Sequence, residues 1–126
     1  VYERNGDGHT LRRHCGLPPV LEAQRLRRHP WLSATGSFPD LATAQRAVES
    51  CVAANQDRIA GWAWDARPRL AIRHDMGEVI GGVLTRAGWL AGETLPRPAS
   101  NVRAVLQRNR RYPSGFAVLT AYPQLP

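Results

Sequence analysis

The 126-residue sequence holds four imidazoles, His9, His14, His29 and His74, and seventeen cationic side chains, every one an arginine. It also holds a hydroxyl pair, Thr120 and Tyr122, in the closing segment VLTAYP. An imidazole titrates near pH ~6.5, so it can act as base or acid around neutrality. A guanidinium stays charged and presents a fork of donors that matches phosphate. Residues two apart on a strand project from one face, so the hydroxyls of Thr120 and Tyr122 would reach a common group while Leu119 and Ala121 point away. RNA cleavage without a metal needs a base for the 2′-hydroxyl proton, a donor for the departing 5′-oxygen and positive charge over phosphorus. Each residue also has a plainer reading: a surface histidine, a solvated arginine face, two ordinary strand formers.

Positioning such groups takes a folded core, and the pattern supplies its elements. Residues 8–15, GHTLRRHC, read as a short helix or turn stopped by Gly16 and the prolines at 18 and 19. Pro19 to Arg28 reads as a second short helix, opened by a proline suited to the first turn and stopped before Pro30. TGSFPD reads as a loop whose Asp40 caps the next helix. From Leu41, apolar groups at 44, 48, 51, 52, 59 and 62 follow helical steps, and the helix fades near Gly61 to Asp65. Asn55 interrupts that stripe; a bend or a buried polar contact is open, but a boundary position with its amide in solvent is simpler.

Beyond Pro68 the period becomes two, and RLAIRHD, EVIGGVLTR, NVRAVLQRN and GFAVLTAYP read as four strands. The Gly81-Gly82 pair suggests a bulge within the second of them, Pro96 to Pro98 a loop, and Arg108 to Arg111 a charged hairpin connection. Helices first and strands afterwards predict an α+β domain, with amino-terminal helices packed on a carboxyl-terminal antiparallel sheet whose other face is left for a ligand.

Length fits one domain, and 43% hydrophobic with 21% charged residues is ordinary globular usage, which argues against wholesale disorder. No apolar run approaches the roughly 18 residues of a membrane span. The chain opens on Val1, so a piece of a longer protein with its delivery signal upstream is expected. The net charge of +7 favours polyanions such as nucleic acid, although arginine-only usage reads mainly as compositional drift. Cys15 and Cys51 lack zinc-site spacing and read as two buried core thiols. Trp62 continues the helical stripe. Trp31, Phe38 and Trp89 fall in loop-like segments, where packing competes with stacking on a base.

Four blocks in order, GHTLRRHCG, SFPDLATAQRAV, ANQDRIAGW and VLTAYP, resemble the bacterial RNase A-like toxin domains that end contact-dependent inhibition and other polymorphic toxin proteins. The resemblance covers nearly the whole chain. It implies one toxin domain over residues 1–126, with the fold of pancreatic-type ribonucleases but without their disulfides. It implies a metal-independent ribonuclease, with no cofactor, that cleaves RNA by 2′-hydroxyl attack and acts in the cytoplasm of a target bacterium after delivery within a larger protein. The catalytic residues it implies are His14, Arg25, Thr120 and Tyr122. Two neighbours, Arg27 and Arg28, compete with Arg25 for the phosphate, and Tyr122 is either the acid or an orienting group. His9 and Thr10 would support the His14 loop, His29 marks a helix end, and His74 is a sheet-surface residue. The partners implied are RNA and a cognate immunity protein, acidic by charge complementarity, with the free toxin a monomer. Cys15, where relatives carry an apolar β-branched residue, and the Gly88–Gly92 segment depart from the pattern. A non-catalytic RNA-binding module is the alternative function.

Overall fold

The structure, a computed structural model, describes residues 15, 16 and 18–126. Its helices are α1 (Pro19–Arg28), α2 (Leu41–Ala54), α3 (Gln56–Trp62) and α4 (Arg86–Leu90). Its strands are β1 (Ala34–Ser37), β2 (Arg69–Asp75), β3 (Gly81–Thr85), β4 (Arg97–Ala99), β5 (Asn101–Arg108) and β6 (Phe116–Gln124). The α+β class stands, but the strands divide between two antiparallel three-stranded sheets, in orders β1-β3-β4 and β2-β5-β6. The expected loop at TGSFPD contributes β1, and Pro96 to Pro98 lies largely in β4. Residues 8–14 of the expected first helix or turn lie outside the described residues.

The long apolar run folds as two helices. Asp40 caps α2 by accepting from the Thr43 amide at 2.7 Å, and Ala44, Ala47, Val48, Cys51 and Val52 form its buried stripe. Asn55 ends it. The Asn55 Nδ2 donates to the Cys51 carbonyl at 2.8 Å and to the Arg73 carbonyl of β2 at 2.9 Å. The amide is therefore bonded to protein, against the simpler expectation of solvent, and it ties the helix break to the sheet edge. The α2 stripe packs on Leu70, Ile72, Val102, Ala104, Leu106, Phe116, Val118 and Ala121 from β2, β5 and β6. Cys15 packs against the same core and Cys51 lies within it, and burial pushes the Cys51 thiol up to about 11.

Val118 and Ala121 are three residues apart, which a regular strand would place on opposite faces. A register shift resolves this: Thr120 faces Val105 whereas Val118 faces Leu106, leaving Leu119 as the extra residue of a bulge. No shift falls at Gly81-Gly82, where the bulge was expected; β3 pairs regularly there with Ala99 and Pro98. Those glycines serve close packing. A Cβ on Gly81 would lie 2.6 Å from Pro123 Cγ, and one on Gly36 would lie 2.8 Å from the Pro123 carbonyl. The two sheets thus meet where β6 crosses β1 and β3.

Two arginines hold helix ends to the strands. Arg86 donates to the carbonyls of Leu26 (2.6 Å), His29 (2.8 Å) and Leu32 (2.7 Å), closing the carboxyl end of α1. Arg108 donates to the carbonyls of Trp62, Asp65 and Arg67 and stacks its guanidinium 4.7 Å from the Trp62 ring. Each supplies donors to main-chain carbonyls at and just beyond a helix end, with charge favourable to the dipole. Between α1 and β1, Glu22 is wholly buried and its Oε2 accepts from the Thr35 hydroxyl. Burial raises its pKa most strongly, opposed by that hydrogen bond and by the charge of Arg25.

Two predictions follow from this packing. Gly81→Ala should destabilise the chain by about 2 kcal/mol, as overpacking does. Gly61→Ala, in α3 with open space around it, should stabilise it by about 0.5–1 kcal/mol; urea unfolding of both variants checks the pair. Because Glu22 has its pKa raised on folding, its contribution to stability is present below the unfolded value and is lost as pH rises through the folded one. Glu22→Gln should therefore gain stability over wild type at neutral pH, and the gain should shrink as pH falls through the unfolded value of ~4.3, below which the carboxyl is protonated in both states. Melting curves from pH 4 to 7 with a constant difference would show that the charge is not the cause.

Candidate active site

β6 carries the hydroxyl pair. Because of the bulge, Ala121 and Pro123 turn inward while Thr120, Tyr122 and Gln124 lie half-exposed on the open face of their sheet. The expected shared face of Thr120 and Tyr122 is present; Ala121 points away as expected, and Leu119 sits half-exposed at the bulge.

A cleft of about 380 Å³ opens beside this strand, between α1, β1 and the end of β6. Arg25, Trp31, Thr35, Tyr122 and Gln124 are among its lining residues. Thus Arg25 and Tyr122, from opposite ends of the chain, meet in one concavity. Arg27 and Arg28 are exposed and do not line it, which separates the three crowded arginines by facing. Thr120 lies outside the lining, one cross-strand row further along β6, opposite Val105. His14, with His9 and Thr10, falls outside the described residues. Cys15, the next residue after His14, bridges to Phe38 just past β1, and Gly16 donates to the Phe38 carbonyl at 2.6 Å.

The remaining candidates separate cleanly. His29 caps the carboxyl end of α1, as expected, and its ring stands edge-on to Trp31 at 4.9 Å. His74 pairs across the sheet with Val102, on the face away from Tyr122. Phe38 is wholly buried, Trp62 nearly so, and Trp89 is half-buried in α4. Trp31, by contrast, is 76% exposed at the cleft wall, and the Arg86 bonds to His29 and Leu32 fix the backbone on either side of it. An indole presented this way can stack on an unpaired base.

Among the described residues, the buried side-chain polar atoms without a hydrogen-bond partner are Glu22 Oε1, Arg25 Nη1, His29 Nδ1, Arg103 Nε and Gln124 Oε1. All belong to α1 with its cap or to the open face of the β6 sheet. Arg103 is the residue that sequence reasoning missed. It stands directly opposite Tyr122 in the register, a relation that alternation within β5 alone does not reveal. No group of three or more His, Cys, Asp or Glu side chains that could hold a metal ion occurs among the described residues. No described helix is long and apolar enough to cross a membrane.

Comparison with known proteins bears on this geometry. No curated protein matches the chain. A solved structure, the CdiA-CT/CdiI complex from Y. kristensenii 33638, is similar in fold, with a TM-score of 0.81 at 24% identity over 93% of this chain and 99% of that one. A family model described as the bacterial CdiA-CT RNAse A domain matches residues 8–123, a span that takes in the amino-terminal block, most of the cleft lining and all but the end of β6. The chain belongs to this family of bacterial RNase A-like toxin domains of contact-dependent inhibition proteins.

Proposed function

We propose that residues 1–126 form one toxin domain that cleaves RNA, without a metal, through attack of a 2′-hydroxyl on the adjacent phosphorus. The observation that carries this reading is the meeting of Arg25 and Tyr122 in one cleft, with Arg25 Nη1 buried there and unpaired. His14 takes the 2′-hydroxyl proton. The 2′-oxygen bonds to phosphorus as the bond to the 5′-oxygen breaks, leaving a 2′,3′-cyclic phosphate on one fragment and a 5′-hydroxyl on the other. Arg25, with Thr120 further along β6, stabilises the negative charge gathering on the phosphoryl oxygens. Fixed donors aimed at developing charge in a partly dry cleft are worth more than the same donors in water. Tyr122 donates its phenolic proton to the departing 5′-oxygen or, failing that, orients the phosphate. Trp31 offers a face to the neighbouring base.

The partner of the free toxin is a cognate immunity protein that covers the cleft. A +7 chain favours an acidic inhibitor, and the similar solved toxin was determined in complex with CdiI. The domain is monomeric before that encounter, is delivered as part of a larger inhibition protein, and acts in the cytoplasm of the target bacterium.

Total bacterial RNA incubated with the purified chain and excess chelator should yield fragments ending in 2′,3′-cyclic phosphate. His14→Ala should slow cleavage by roughly 10²–10⁴-fold and Arg25→Gln by roughly 10²–10³-fold, with circular dichroism unchanged. RNA left intact at enzyme excess, together with salt-sensitive RNA binding, would instead identify a binding module.

A further inference from the structure

The open face of the β2-β5-β6 sheet carries charge that the proposed chemistry at Tyr122 does not use. Arg73 is the register partner of Arg103, and Arg103 is the register partner of Tyr122. Directly opposed residues on neighbouring antiparallel strands point to the same side. The three side chains therefore form one row, on the side away from Ile72, Val102, Ala104 and Ala121 of the core. Strands are spaced ~4.8 Å apart, so the row runs roughly 10 Å from the cleft edge to Arg73.

Three observations set this row apart from an ordinary solvated basic face. Like charges directly opposite one another repel, yet no carboxylate among the described residues forms an ion pair with Arg73 or Arg103. The ion pairs among the described residues join Arg46 to Glu78, Arg67 to Asp65 and Arg97 to Glu93, none of them on this row. Asp75, at the end of β2, is engaged by the Gly77 amide at 2.9 Å and by Ser100. Secondly, Arg103 Nε is buried without a partner, whereas a guanidinium held only by solvent keeps its nitrogens wet. Thirdly, the row is continuous with the cleft, because Tyr122 belongs to both.

A bound anion would relieve the repulsion and satisfy the buried donor together, and a phosphodiester suits the guanidinium fork. We propose that Arg73 and Arg103 form a phosphate-binding subsite for the RNA backbone beside the scissile phosphodiester, so that the preferred substrate is an oligonucleotide. This rests on the ribonuclease reading above. The subsite adds affinity for a chain that extends past the cleavage point and contributes nothing to a dinucleotide, whose one phosphate sits in the cleft.

The deciding experiment compares a dinucleotide and a tetranucleotide that share one cleavable step. Wild type should show kcat/KM at least tenfold higher on the tetranucleotide. Arg73→Gln, at an exposed position that tolerates substitution, should lose about tenfold on the tetranucleotide and stay within twofold on the dinucleotide. Its slope of log kcat/KM against log salt should fall by about one. Arg58→Gln, at an exposed position of α3, removes the same charge elsewhere and should change neither substrate. Arg103→Gln should follow Arg73→Gln, but Arg73→Gln decides alone if the other variant misfolds. Equal losses on both substrates, or an equal loss in Arg58→Gln, would overturn the subsite and leave only a general field. If wild type cleaves neither substrate, the ribonuclease reading fails by itself. In that case, anisotropy with a labelled oligodeoxynucleotide reads the row directly: weaker binding by Arg73→Gln than by Arg58→Gln sustains it, and equal binding sinks it.

Discussion

Strand β6 belongs to one sheet while its last residues lie against the other, and the separation allowed at that crossing is set by the ring and carbonyl of Pro123. A side chain at Gly36 or Gly81 would occupy the space that Pro123 fills. Only backbone fits there, so the sheets close to contact at this point. Proline is tolerated because β6 is the edge of its own sheet, where a missing ladder donor matters least. Tyr122 precedes this contact and turns to the opposite face. The close approach that joins the sheets therefore also fixes the strand that brings Tyr122 to the cleft it shares with Arg25.

The arginines, which composition alone makes look like drift, divide by environment among the described residues once the fold is known. Arg86 and Arg108 spend their donors on main-chain carbonyls at the ends of α1 and α3. They tie segments far apart in sequence, in a domain where no disulfide joins described residues. Arg46, Arg67 and Arg97 form exposed ion pairs, each contributing little to stability. Arg25, Arg73 and Arg103 do neither. Net charge is blind to this division, because a capping guanidinium and one left for a ligand count the same.

Local pattern carried the elements, and long-range pairing carried what the pattern lacked. The Asp40 cap, the α2 stripe and the four main strands each follow from residues within a few positions of one another, so they are legible in sequence. β1 is not, because ATGS has no apolar alternation: Gly36 rests on Pro123, and Thr35 binds a buried carboxylate. Its strand character comes from pairing with β3 far along the chain. Asn55 resembles a solvent-facing boundary until the Arg73 carbonyl arrives from β2 to accept from it. The Thr120–Tyr122 face was readable from a spacing of two, whereas the Leu119 bulge shows only when Val118 and Ala121 must both reach the core. Arg25 stood out from Arg27 and Arg28 only when the cleft gave α1 an inside.

The same side-chain chemistry is completed in one region and left incomplete in another. At the helix ends, guanidinium donors, the Asn55 amide and the Trp62 indole all find acceptors. On α1, its cap and one face of the β6 sheet, guanidinium nitrogens of Arg25 and Arg103, side-chain oxygens of Glu22 and Gln124 and the His29 Nδ1 are buried without a hydrogen-bond partner, and Trp31 stays in water. Native proteins satisfy most buried polar groups, and departures from local stability rules gather where a ligand is handled. Random imperfection would scatter such atoms over both sheets and every helix. Among the described residues they are confined to α1, its cap and one face of one sheet, and the two guanidinium donors among them, on Arg25 and Arg103, suit the anionic chain proposed above. The donors must be desolvated and fixed before the phosphate arrives, because a donor already paired within the fold would have to break that bond in order to bind.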